Sequence, residues 1–127
     1  SLLPILPQHL ESAPDSYSVR AEEVEVKRLG NFCKGMVKTT DRIFLKVDVQ
    51  GAEKEVLSGA ENILPLVSLI QLELSIVPLY QGQVLYQDMF KLMQDYGYRL
   101  VFLTPIFFDP VSGDALQFDA VFKRAQE

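Results

Sequence analysis

Residues 45–60 read LKVDVQGAEKEVLSGA, and this stretch constrains the fold more than any other. Ile43 to Val49 is nearly continuous in β-forming residues, the pattern of a strand covered on both faces rather than half-wet. Gly51 turns the chain. Ala52, Val56, Leu57, Ala60, Ile63 and Leu64 then follow at spacings of 4, 1, 3, 3 and 1, which is helical periodicity. Glu53 and Glu55 fall in the first turn, where the helix dipole favours carboxylates. Gly59 is placed to end or bend the helix, and Pro65 stops it. A buried strand feeding a helix belongs to a βαβ unit.

The rest of the chain extends that unit. VSLIQLELSI (67–76) is a second apolar strand. Leu85 to Tyr96 reads as a helix with Leu85, Met89, Leu92, Met93 and Tyr96 on one face, ended by Gly97. Tyr98 to Leu103 is a third strand, and DPVSGD (109–114) a turn. Leu116, Phe118, Ala120 and Phe122 alternate with Gln117, Asp119 and Lys123, an antiparallel strand with one wet face. Upstream, Val24, Val26 and Arg28 alternate as a half-exposed strand, residues 30–41 form a loop or short helix, and residues 1–19 an irregular packed arm. The expected architecture is a single α/β domain over residues 1–127, with parallel core strands and an antiparallel C-terminal hairpin.

Composition excludes several functions. The net charge is -5 and no Lys/Arg cluster occurs, so nucleic acid is not expected as a partner. The most apolar window, residues 63–79, is interrupted by Pro65, Gln71, Glu73 and Pro78 and is a poor membrane span. The N-terminal residues SLLPILPQHLESAP do not read as a signal peptide, and the expected location is the cytoplasm. One cysteine, Cys33, and one histidine, His9, supply neither an internal disulfide nor a zinc site, and no metal is expected. His9 is assigned a structural or surface role rather than a catalytic one. DPVSGD lacks the downstream glutamate of a calcium loop.

Polar residues inside the apolar strands point to a site. Phe44, Lys46 and Asp48 share one face of the first strand, and Gln71 and Glu73 share a face of the second. Buried charges need partners, and ligands of open α/β sheets bind outside the carboxyl ends of the strands. Residue types alone leave two readings level: a polar pocket at that rim, or a structural Lys46–Glu73 ion pair with Asp48 capping the helix.

LKVDVQGAEKEVLSGAENIL, IQLELSIVPLYQGQ and MQDYGYRLVFLTPIFFDPVSGDALQFDAVFKR together resemble the FkbM family of S-adenosylmethionine-dependent methyltransferases, over about residues 20–125. The resemblance implies a class I, Rossmann-like methyltransferase sheet and O-methylation of a sugar or natural-product hydroxyl. It implies catalytic roles for Asp48 and Glu73, cofactor contacts from Asp48, Gln50 and Gly51, and substrate contacts from Lys46, Glu53, Tyr80 and Gln83. Such domains begin with a Gly-rich turn for the cofactor, and none of the seven glycines here is spaced from another by one or two residues. The chain therefore reads as the C-terminal half of the domain, with weak affinity for S-adenosylmethionine expected of these residues alone. A noncatalytic α/β interaction module is the other reading. The missing neighbours of the Ile43–Val49 strand would be replaced by residues 22–29 or by a second copy, giving a homodimer.

Overall fold

In the computed structural model, residues 1–125 are described. Ile43–Val47 form β1 and Val67–Ser75 form β2, side by side and parallel, with Leu45 opposite Ile70 and Val47 opposite Leu72. Between them runs α3, Glu53–Gly59. Helix α4, Tyr86–Asp95, connects β2 to β3, Tyr98–Phe108, and β4 follows at Ala115–Arg124. The sheet order is β1-β2-β4-β3, with β4 antiparallel to both neighbours. The hairpin's second strand thus lies inside the sheet and its first strand forms the edge.

One face of the sheet carries the core. Val47, Ile70, Leu72, Leu74, Phe118, Ala120 and Phe122 are buried there beside Leu57 of α3 and Met89 and Met93 of α4. Both helices follow parallel-type strands and return to the same side, so the period-2 apolar rows of β2 and β4 find their cover. The other face presents Phe44, Lys46, Gln71, Glu73, Asp119 and Lys123, all half-buried or exposed.

The arm is tied down. Two short helices precede β1: α1, Pro7–Ser12, and α2, Leu29–Phe32. Ile5 pairs with Tyr80 in an antiparallel bridge, the Leu6 N–H donates to the Leu79 carbonyl at 2.9 Å, and the Gln81 N–H donates to the Pro4 carbonyl at 2.9 Å. Backbone donors of the arm and of the loop after β2 satisfy each other.

Two expectations change. Residues 24–28 form no strand: Val24 and Val26 are 66% and 78% exposed, and the neighbouring charges pair locally, Lys27 with Glu25 at 3.4 Å and Arg20 with Glu22. Two valines between solvated charges make too small an apolar face to dock, so this segment does not cover β1, whose outer edge is unpaired among the described residues. Strand β3 also runs on past Leu103 to Phe108. Pro105 is accommodated because β3 is an edge strand, with register shifts on either side of it.

Candidate active site

At the carboxyl end of β1 the chain passes through Asp48 and Val49 into a turn built on two left-handed residues. Gln50 has φ 56° and Gly51 φ 101°. A non-glycine residue at positive φ is uncommon and is held there only by its surroundings. At Gly51 the requirement for glycine is double, since a Cβ would stand 3.0 Å from both Leu3 Cδ1 and Tyr80 Cβ. The turn delivers Glu53 into the interior, 4% exposed, where its Oε1 accepts from the Gly51 N–H at 3.2 Å. Burial pushes the Glu53 carboxyl up, against hydrogen bonds from the turn's own backbone that pull it down.

Asp48 stays half exposed, with Lys46 Nζ at 3.7 Å from its Oδ2. Across the β1–β2 pair its carboxyl is close enough to Glu73 to share a hydrogen bond. Glu73 pairs in register with Asp119 of β4. Burial first, then the charges of Asp48, Asp119 and Glu53, push the Glu73 carboxyl up to about 7. This crowding favours the protonated form of Glu73 towards neutrality.

The structural alternative does not form as expected. Lys46 pairs with Asp48 rather than Glu73, and the first residue of α3 is preceded by Ala52 with no side-chain cap.

Tyr80 lies behind the turn, 4% exposed, its hydroxyl 3.2 Å from His9 Nε2. Gln83 turns its amide inward: Oε1 accepts from the Leu79 and Tyr80 N–H groups, and Nε2 donates to Ser75 Oγ at 2.6 Å. Its place is in holding the loop after β2. Two openings flank Gln50. A cleft of about 750 Å³ is lined by Asp48, Val49, Gln50, Arg20 and Glu22. A cavity of about 470 Å³ is lined by Ile5, His9, Tyr17, Arg20, Gln50 and Tyr80.

The structure thus brings Lys46, Asp48, Gln50, Glu53 and Glu73 to one rim, with Gly51 enclosed by Leu3 and Tyr80. Sequence reasoning left out two residues. Asp119 was legible only as an acid on the wet face of an alternating strand, and its approach to Glu73 needs the pairing with β2. His9 carried no signal, because its partner lies 71 residues away.

Residues 4–100 match the family model described as the methyltransferase FkbM domain. The chain belongs to the FkbM methyltransferase family. The FkbM match takes in the N-terminal arm with His9, the LKVDVQGAE stretch and both acids of the pair, and it ends within β3. No curated protein and no solved structure matches the chain. Among the described residues no helix is long and apolar enough to cross a membrane, and no group of three or more His, Cys, Asp or Glu is placed to hold a metal ion.

The raised Glu73 carboxyl predicts a pH-dependent stability. Between its ordinary 4.5 and about 7, the folded chain keeps a proton that the unfolded chain has released. The folded state binds more protons in that window, so stability falls as pH rises through it, and the loss is complete above 7. Glu73→Gln cannot ionise. It is expected to be more stable than the parent at pH 8, on the order of 1–2 kcal/mol after allowance for solvent screening, and no more stable below about pH 4.5. Urea unfolding at the two pH values measures this. An equal difference at both would show that Glu73 ionises normally.

Proposed function

We propose that the Asp48–Glu73 pair is the proton-accepting centre of an S-adenosylmethionine-dependent O-methyltransferase acting on a small hydroxylated acceptor such as a sugar or natural product. The observation that carries this reading is the meeting of two carboxyls, Asp48 and Glu73, at the carboxyl ends of two adjacent parallel strands, with Glu73 pushed up to about 7. A carboxyl that titrates near neutrality is matched to general base work at cellular pH, which an ordinary glutamate is not. The strand order, two parallel strands followed by a hairpin whose second strand inserts beside them, supports a class I methyltransferase sheet.

The residues fit the cofactor at one end. S-adenosylmethionine carries a positive sulfonium, and Asp48, which lines the cleft, offers a carboxyl to complement it. Gly51 offers no backbone cradle, because Leu3 and Tyr80 already fill the space over it. Asp48 and Gln50 would line the methyl end. When bound, the cofactor supplies an electrophilic methyl group.

The chain's own groups do the rest. Glu73 takes the proton from the reacting hydroxyl, and Asp48 orients the acceptor by accepting from a neighbouring hydroxyl of the same molecule. Lys46, 3.7 Å from Asp48, holds the exposed carboxylate and balances its charge. Glu53 fixes the turn that carries Gln50, and Tyr80 and Gln83 shape the acceptor side. Labelled S-adenosylmethionine offered with hydroxyl, amine and carboxyl acceptors, using the full natural protein, tests the reading. Label in an alkali-stable ether is expected, and label only in an amine or a base-labile ester would refute transfer to a hydroxyl.

A further inference from the structure

His9 is the chain's single histidine, nine-tenths buried on α1, with its ring packed against Tyr80 and Phe107 at centroid distances of 5.3 Å each. Its two nitrogens differ sharply. Nε2 is 3.2 Å from the Tyr80 hydroxyl, whereas Nδ1 is shielded from solvent and has no hydrogen-bond partner among the described residues. A neutral imidazole carries one N–H. On Nδ1 that proton would be a buried donor with no acceptor, an arrangement folded proteins avoid more strictly than an under-used acceptor lone pair. The proton therefore belongs on Nε2, where it donates to Tyr80 Oη.

That direction has a consequence for the tyrosine. With Oη accepting from His9, the hydroxyl sends its own proton into the cavity that Tyr80 lines, where water or a ligand can take it, an outlet the sealed Nδ1 lacks. Burial first, then the charges of Glu73, Glu53 and Asp48, raises the Tyr80 hydroxyl above its ordinary value, so it remains a donor at neutral pH. Tyr80 and His9 both line the cavity of about 470 Å³, and Gln50 lines that cavity and the Asp48 cleft alike.

We propose that His9 is a positioning residue whose Nε2–H holds Tyr80 Oη and thereby aims the Tyr80 hydroxyl proton into this cavity, at an oxygen of the methyl acceptor. The ligand's identity as a methyl acceptor rests on the proposed function; the direction of the hydrogen bond does not. Tyr80 then recognises an acceptor oxygen near the one that reacts, and His9 acts on specificity through it.

Long-range proton–nitrogen NMR of the full chain at about pH 8 tests the first half, since one histidine gives one set of signals. The Nε2–H tautomer is expected, with an N–H protected from solvent exchange and losing that protection at least tenfold in Tyr80→Phe. The Nδ1–H tautomer, or protection unchanged in Tyr80→Phe, would overturn the proposal. Methyl-transfer kinetics test the second half. His9→Phe keeps an aromatic ring and removes the donor, and is expected to raise KM for the acceptor about tenfold at unchanged kcat, with His9→Gln restoring most of the loss. Equal damage in both variants, falling on kcat, would reduce His9 to a packing residue and sink the idea. Absence of methyl transfer from the wild-type protein, with the tautomer result intact, would defeat the proposed function and leave the hydrogen-bond direction standing.

Discussion

Asp48→Asn is expected to lower kcat for methyl transfer by about 10²–10⁴-fold, with the fold intact and stability at pH 8 no lower than the parent's. The two halves of that expectation come from different facts. Asp48 is half exposed, and its one ion pair, to Lys46 at 3.7 Å, lies in solvent where such pairs contribute little. Asparagine has the same shape, so the turn into α3 is undisturbed. The chemistry is another matter. The charge of Asp48 is the largest contribution after burial to the raised Glu73 carboxyl, and removing it lets Glu73 fall towards the ordinary range. Both the partner that orients the acceptor and the basicity of Glu73 are lost together. Steady-state kinetics beside thermal unfolding measure the pair of effects, and near-normal kcat in the variant would make Asp48 a surface residue only.

Gly51→Ala is the substitution with the largest expected effect on stability, a loss of about 2–4 kcal/mol. The backbone at φ 101° is one that a residue with a Cβ adopts only under strain. The added methyl would also meet Leu3 Cδ1 and Tyr80 Cβ at 3.0 Å and Tyr80 Cδ2 at 3.3 Å. Leu3 can swing its terminal carbon away. Tyr80 cannot, because its Cβ is anchored to the backbone that bridges to Ile5 and the side chain is buried. The turn carrying Gln50 and the hydrogen bond from Gly51 to Glu53 would shift with it, so the site should loosen as the fold does. Urea unfolding checks the number, and a change under about 0.5 kcal/mol would show that the turn relaxes freely.

Local patterns carried much of the fold into view. The β1–Gly51–α3 unit was legible because a β-rich run, a glycine and a 3.6-residue period follow one another without ambiguity. The apolar faces of α4, β2 and β4 were legible for the same reason. Long-range pairing was not. Alternation in Leu116–Phe122 reports a strand with two unlike faces but says nothing of its neighbours, so the insertion of β4 between β2 and β3 stayed hidden, and with it the approach of Asp119 to Glu73. Alternation also misled at Val24 and Val26, where no sheet surface receives the segment.

The site followed the same division. Asp48 and Glu73 stood out as candidates because charge on adjacent apolar strands demands partners, while their catalytic roles came only with the family resemblance. The engagement of Gln83 with Ser75 and the backbone of Leu79 depends on how the loop after β2 folds back, which residue type does not encode. The contact of His9 with Tyr80 needs the arm to cross the carboxyl rim, and nothing in a helical or strand period foretells that.

The pH dependence of methyl transfer by the full natural protein, measured in wild type and in Glu73→Gln, tests the central claim most directly. The wild-type rate should rise with a single inflection at about 7, as Glu73 gives up its proton. In Glu73→Gln that inflection should disappear and the rate should fall at every pH. A wild-type profile flat from pH 5 to 9, or an inflection near 7 that survives in Glu73→Gln, would contradict the account.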